Sequence, residues 1–249
     1  MPVNLWLPRA FVVYGVLLPT YDVLLYIGFF AFLLLFLKEG GRCGISLGDR
    51  VALGVLIPLS GFGFALVVTK LVTGERGQTL YLAAVGSVLA GGAYARLRGI
   101  SLYDVGDAAA PAAAIAFCVM KIGCLISGCC FGVPTEGFLH AVYSSKSDEV
   151  LPKALSLNPS WEGVPLVPVQ LWTAALALCA FVLSYALLRW VRELPGRRLG
   201  VVLGTYAAGR LVIDFWWGGG AILAVGPLID RQLFGLAMVA MSLYLLFRR

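Results

Sequence analysis

Apolar runs about as long as a bilayer core is thick recur along this chain, and short basic loops separate them. Of 249 residues, 60% are hydrophobic and only 13% are charged, against about 25% charged in an ordinary soluble domain. A soluble core cannot hide this much apolar sequence. The length allows roughly seven spans of about 20 residues each. The expected fold is therefore an all-α, polytopic membrane helix bundle of about seven transmembrane helices, forming a single domain over residues 1–249.

Residues 1–20 hold Pro2, Pro8 and Pro19 and read as an interfacial arm on the bilayer. The runs that follow read as spans at Tyr21 to Leu37, Val51 to Val72, Thr79 to Leu97, Asp107 to Ser127, Pro168 to Trp190, Leu199 to Phe215 and Pro227 to Phe247. Small residues crowd the third, fourth and sixth runs and predict close helix approach there. The start of the chain lacks the basic region of a cleavable signal peptide.

The formal net charge is +6. Lys38, Arg42, Arg50, Arg96, Arg98, Arg197 and Arg198 fall on one side of the spans, and acidic residues dilute the basic ones on the other. That asymmetry sets topology rather than nucleic-acid binding, and puts the N-terminus outside and the C-terminus in the cytoplasm. Residues 129–167 then form an outer-face loop or head between spans four and five, long enough to carry function.

Lys121-Ile-Gly-Cys-Leu-Ile-Ser-Gly-Cys-Cys130 ends the fourth run. A lysine inside apolar sequence is costly and marks a functional or paired position more readily than a snorkelling one. Cys124 lies one turn from Lys121, whose charge favours a thiolate. Cys129 and Cys130 fall at the outer mouth, where a disulfide with Cys124 or a reactive thiol with a resolving partner are both open readings. Spacing of i, i+5, i+6 without a paired histidine argues against zinc, so no metal and no cofactor is expected. Cys118, Cys179 and Cys43 read as small buried hydrophobes, and His140 as a surface residue. Asp104 and Asp107 read as helix-capping groups.

Tyr206-Ala-Ala-Gly-Arg-Leu-Val-Ile-Asp214 puts Tyr206, Arg210 and Asp214 on one helix face. This is either a structural ion pair or an anion site, for which a planar guanidinium is suited. Pro168-Val-Gln-Leu-Trp172 opens the fifth run, with Gln170 as a cap or a cavity-facing group.

Three of these segments, in this order, resemble the bacterial prolipoprotein diacylglyceryl transferase family. Asp107-Ala-Ala-Ala-Pro111 followed by Lys121-Ile-Gly-Cys124 through Gly132 resembles its Asp-x-x-x-Pro and Arg-(Leu/Ile)-Gly-Asn-Phe-x-Asn-Gly-Glu-x-x-Gly. Pro168-Val-Gln-Leu-Trp-Thr173 resembles its Pro-(Ser/Thr)-Gln-Leu-Tyr-Glu, and Tyr206 to Phe215 its Tyr-Gly-x-x-Arg-x-x-x-Glu-Phe. The likeness covers roughly Tyr21 to Phe247. It implies transfer of diacylglyceryl from phosphatidylglycerol to the lipobox cysteine of a preprolipoprotein, at the outer leaflet of the bacterial cytoplasmic (inner) membrane. By resemblance, Lys121 and Arg210 stand at two essential arginine positions and Tyr21 at a functional tyrosine. The family's His-Gly-Gly is Tyr81-Leu-Ala83 here, and Cys124, Ser127 and Cys129 replace its Asn, Asn and Glu. A paralogue with altered chemistry is expected.

The expected catalytic residues are thus Lys121, Cys124, Cys129, Cys130 and Arg210. Tyr21, Tyr81, Ser127, Gln170, Tyr206 and Asp214 are the expected substrate-binding residues. The expected activity moves a diacylglyceryl or similar alkyl group from an anionic, phosphatidylglycerol-like phospholipid to a thiol-bearing acceptor such as a lipoprotein precursor. The alternative is a thiol-redox or soft-metal-handling membrane protein that works through Cys124, Cys129 and Cys130.

Overall fold

In the computed structural model, residues 10–13, 16–73, 80–144, 159–187, 194–218, 224–225 and 228–248 are described below. Among the described residues seven α-helices form the bundle: α1 (Thr20–Arg42), α2 (Leu47–Thr73), α3 (Leu80–Leu97), α4 (Leu102–Ser127), α5 (Val169–Ala186), α6 (Arg197–Ile213) and α7 (Asp230–Phe247). Each overlaps one of the seven apolar runs. Five spans, Thr20–Arg42, Leu47–Val72, Leu102–Ser127, Val169–Ala186 and Arg197–Trp216, are long and apolar enough to cross a membrane. The chain is a multi-pass membrane protein with an all-α bundle.

Three two-stranded antiparallel pairs accompany the helices. β1 (Ala10–Val13) and β2 (Val16–Pro19) lead directly into α1, so the second half of the expected arm is a hairpin. Residues 1–9 of that arm lie outside the described residues. β3 (Ala141–Val142) pairs with β4 (Pro165–Leu166) in the segment between α4 and α5, of which 145–158 lie outside the described residues. β5 (Ala224–Val225) pairs with β6 (Leu228–Ile229) just before α7.

α4 is the hub. Its buried residues include Ala108, Ala110, Ala112, Ala114, Cys118 and Gly123, and α1, α5 and α6 all pack against it. Short side chains let the helix axes approach, which is how helices associate where lipid removes the hydrophobic drive. The expected inner packing of the sixth run is seen in buried Val201, Val202, Tyr206 and Ala207. α3 instead pairs mainly with α2. Gly86 makes that approach: a Cβ there would stand 2.8 Å from the Ser60 carbonyl oxygen.

Several helices begin or end beyond their apolar runs, because charged residues that read as loop are paired inside the bundle. α1 continues past Leu37 to Arg42, and its Glu39 accepts hydrogen bonds from Arg198, Arg42 and Tyr185. α2 starts at Leu47, where Asp49 accepts from Ser46, Tyr94 and Arg98. Asp107 lies five residues inside α4 and caps another helix. Its two oxygens accept the backbone N–H groups of Gly196 (2.6 Å) and Leu199 (2.8 Å) at the start of α6. These pairings gather the C-termini of α1 and α3 and the N-termini of α2, α4 and α6 at one end of the bundle. The cysteine segment is at the other.

Candidate functional site

The site is built where α4 stops. Gly128 adopts the left-handed conformation (φ 68°) at the helix C-terminus. Gly128 N–H donates to the Leu125 carbonyl and Cys129 N–H to that of Cys124 at 3.1 Å. These bonds satisfy carbonyls that a helix end would otherwise leave open. The chain then turns sharply, since Cys130 also has a positive φ, of 58°.

Backbone bonds on both sides lock the turned segment. Gly132 N–H donates to the Val167 carbonyl, Val133 to that of Trp216 and Gly218 to that of Phe131, and Val167 N–H returns a bond to Val133. The stretch after the cysteines is therefore stitched to the start of α5 and to the end of α6. Gln170, fully buried, donates from Nε2 to the Cys129 carbonyl (2.7 Å) and to the Tyr143 hydroxyl (3.2 Å), and Tyr143 donates to the Leu125 carbonyl. Its donors are used on the protein itself, so in this arrangement Gln170 positions the cysteine turn.

The turn gathers Cys124, Cys129 and Cys130. Their Sγ atoms all lie within 4.8 Å of one another, close enough for a single ion to bridge them. All three are free thiols. Ser127 Oγ donates to Cys129 Sγ (3.3 Å) and to the Cys124 carbonyl. Hydrogen bonds from the Cys124 and Cys129 thiols, then the Lys121 and Arg210 charges, hold Cys130 well below the usual thiol range despite its burial. Cys43, at the opposite end, is the contrast: burial pushes its thiol up to about 11.

Beside the thiols stands a cationic cluster around Trp217. Lys121 is buried, with Nζ 5.0 Å from the centre of the Phe117 ring and 5.9 Å from that of Trp217. The Arg210 guanidinium lies 4.7 Å and that of Arg231 4.9 Å from the Trp217 ring centre. An aromatic face attracts cations, the more so away from water. Arg210 also bonds Asp214 (2.5 Å) and donates to Thr173 Oγ1 (3.2 Å). Tyr206 is buried against Phe117, and its hydroxyl has no partner among the described residues; the same holds for the Trp217 indole N–H. Among the described residues Lys121 has no carboxylate partner. Lys121, Arg210, the Tyr206 phenol and the Trp217 indole N–H thus lie in one cluster, which suits an oxyanion.

Of the sequence-predicted residues, Lys121, Cys124, Cys129, Cys130, Ser127, Gln170, Tyr206, Arg210 and Asp214 share this end of the bundle. Tyr21 joins them, with its ring 3.4 Å from where a Cβ on Gly123 would sit and its phenol within electrostatic reach of all three thiols. Tyr81 does not lie in this set of contacts; its ring faces Phe234 of α7 at 5.9 Å. Trp217, Thr173, Phe117, Tyr143 and Arg231 were not singled out from the sequence. The one available signal was Trp216-Trp217, a pair of aromatics seven residues beyond Arg210 at the mouth of a span.

The family model for prolipoprotein diacylglyceryl transferase matches residues 8–248. A phosphatidylglycerol–prolipoprotein diacylglyceryl transferase 2 of Clostridium perfringens is 25% identical over 219 residues, which is 82% of this chain and 80% of the relative. An enzyme of Dehalococcoides mccartyi named as a phosphatidylglycerol–prolipoprotein diacylglyceryl transferase is 26% identical over 152 residues, 61% of this chain and 54% of its own length. One of Clostridium tetani with the same name is 25% identical over 141 residues, 56% and 51% of the two chains.

Proposed function

The chain belongs to the prolipoprotein diacylglyceryl transferase family, and from that premise we propose that it transfers a diacylglyceryl or similar alkyl group from an anionic phospholipid to a thiol. The donor is phosphatidylglycerol-like. The acceptor carries a cysteine thiol, as a lipoprotein precursor does. All seven helices cross the bacterial cytoplasmic membrane, with the cysteine end at the outer leaflet and the C-terminus inside.

The observation that carries this reading is the cationic cluster at Trp217. Arg210 and Lys121 stand against the Trp217 ring, beside two donors, the Tyr206 hydroxyl and the Trp217 N–H, that have no acceptor among the described residues. A phosphodiester headgroup supplies the missing acceptors. When the carbon–oxygen bond to phosphate breaks, negative charge grows on the departing oxygen. Donors already in place for that charge lower the barrier without reorganisation. Asp214 and Thr173 hold the Arg210 guanidinium in position, and Trp217 supports its flat face. The acceptor sulfur approaches the glyceryl carbon from the thiol side of the cluster.

The test is transfer by the purified protein in phosphatidylglycerol vesicles to a fluorescent peptide with one cysteine. Thioether formation is expected, lost in Arg210→Ala and absent with the serine version of the peptide. Wild-type protein that turns over no anionic lipid with any thiol would sink the reading.

A second reading is favoured by one observation, the gathering of three free thiols. In it the protein handles a thiophile or exchanges disulfides, and the cationic cluster is inherited but idle. The same Arg210→Ala variant separates the two, because thiol chemistry alone tolerates it and lipid transfer does not.

A further inference from the structure

Phosphate binding leaves the thiol cluster without a role. Three cysteines converge there, and the backbone is distorted to achieve it. Among the described residues Cys130 is the only non-glycine with a positive φ, a conformation that side chains rarely adopt. The stitching of Gly132 and Val133 to Val167 and Trp216 holds that conformation. Ligand spacing counts against zinc only where the ligands come from short, regular turns; here left-handed Gly128 and Cys130, on either side of Cys129, fold the chain back so that all three sulfurs meet.

The dimensions fit one ion. Thiolates about 2.3 Å from zinc stand about 3.8 Å from each other in a tetrahedral set, and these sulfurs are already within 4.8 Å. Charge also favours a divalent ion. Three thiolates and a divalent cation sum to −1, and Lys121, which has no carboxylate partner among the described residues and acts electrostatically on Cys124 and Cys130, stands beside them as a countercharge. Unbalanced charge is expensive in a buried place.

We propose that Cys124, Cys129 and Cys130 hold a divalent thiophilic cation of the zinc class, with its fourth position open to the acceptor thiol. The second half rests on the transferase reading; the binding of the ion does not. Three protein ligands with a free position is the arrangement of a catalytic zinc site. A thiol that enters the fourth position loses its proton to water. Its sulfur lone pair then attacks the glyceryl carbon. A carbon–sulfur bond forms, the carbon–oxygen bond to phosphate breaks, and that electron pair leaves on the phosphate oxygen beside Lys121 and Arg210. Nothing is oxidised or reduced, and the cation is unchanged at the end.

The experiment uses the full chain in detergent, purified without chelator, loaded with zinc and assayed for metal per chain by elemental mass spectrometry. Cobalt(II) is then exchanged in, and its thiolate charge-transfer absorption is followed. One ion per chain is expected, with affinity lowered at least about tenfold in each of Cys124→Ser, Cys129→Ser and Cys130→Ser and unchanged in Cys118→Ser. In wild-type protein, zinc protects the three thiols from alkylation while Cys179 labels equally with and without it; this readout needs no variant to fold. Well under one ion per chain after loading, or no protection, overturns the site. Arg210→Ala retains full metal while losing transfer, so failure of the lipid reading is told apart from failure of the metal. A peptide with one cysteine shifts the cobalt spectrum and its serine version does not; the absence of a shift overturns the open fourth position.

Discussion

The two ends of this bundle both bury charge and treat it in opposite ways. At the end where α1 stops and α6 begins, each buried carboxylate is surrounded by donors. Glu39 accepts from Arg198, Arg42 and Tyr185, Asp49 from Ser46, Tyr94 and Arg98, and Asp107 from two backbone N–H groups. At the cysteine end, Lys121 and Arg210 stand against one indole ring; Asp214 holds Arg210, and Lys121 has no carboxylate partner among the described residues. The first end spends its charge on fixing helix ends. The second keeps cationic donors in reserve, which is what an incoming anion requires. Burial alone does not separate structure from function here; the balance of donors and acceptors does.

The largest way to break that comparison is Arg210→Ala. Loss of one donor aimed at developing charge typically costs about 10²–10³ in rate, and transfer of lipid to peptide, compared per folded protein because the variant also leaves Asp214 buried without Arg210, should fall by that much. At the opposite end Glu39→Ala should lower stability and leave transfer alone. It strands Arg198, whose side chain is only 8% exposed, and breaking a buried pair costs about 3–5 kcal/mol; thermal unfolding in detergent should show the loss while the protein that stays folded keeps its turnover. If Glu39→Ala abolished turnover at unchanged stability, the division between the two ends would be wrong.

Finer tests sharpen it. Lys121→Met should remove transfer almost completely, whereas Lys121→Arg should keep it within about tenfold, because charge is retained and a two-pronged donor grips phosphate as well or better. Equal activity of the two variants would deny Lys121 an electrostatic role. Thiol reactivity should differ between the ends. The thiolate is the reactive form, so Cys130, with its thiol held below the usual range, should be alkylated in metal-free protein at mildly acidic pH. Cys43, pushed to about 11, should stay unmodified until the medium is strongly alkaline. Peptide mass spectrometry after alkylation at stepped pH reads both. The smallest effect is expected for Asp107→Asn. One carboxylate acceptor over the start of α6 is lost, with a cost of about 1 kcal/mol and no change in turnover.

Hydrophobic runs announced the all-α bundle and its five long apolar helices, since bilayer thickness sets span length and leaves few other choices. Their ends were less legible. Glu39 and Asp49 look like loop residues in a linear reading and Asp107 like a cap of its own helix, and only partners 45 to 159 residues away make them tolerable where they stand. Half of the site was legible for a similar reason. Lys121 and Arg210 stand out because charge in apolar sequence needs an explanation, and Tyr206, Arg210 and Asp214 follow from helical period. Trp217 and Thr173 carry no such signal; an aromatic or a threonine in a membrane span is ordinary until a guanidinium is found against it.

By itself, then, the sequence determined that the chain enters a membrane, where its helices run and which charges are too costly to be accidental, because transfer of side chains from water to lipid is a property of composition and spacing. Tertiary structure alone decided which of those charges are satisfied. It also decided that three cysteines at irregular spacing meet, because the left-handed turn at Gly128 and Cys130 and the stitching of 132–133 to 167 and 216 depend on backbone partners just before α5 and just after α6 that no local reading contains.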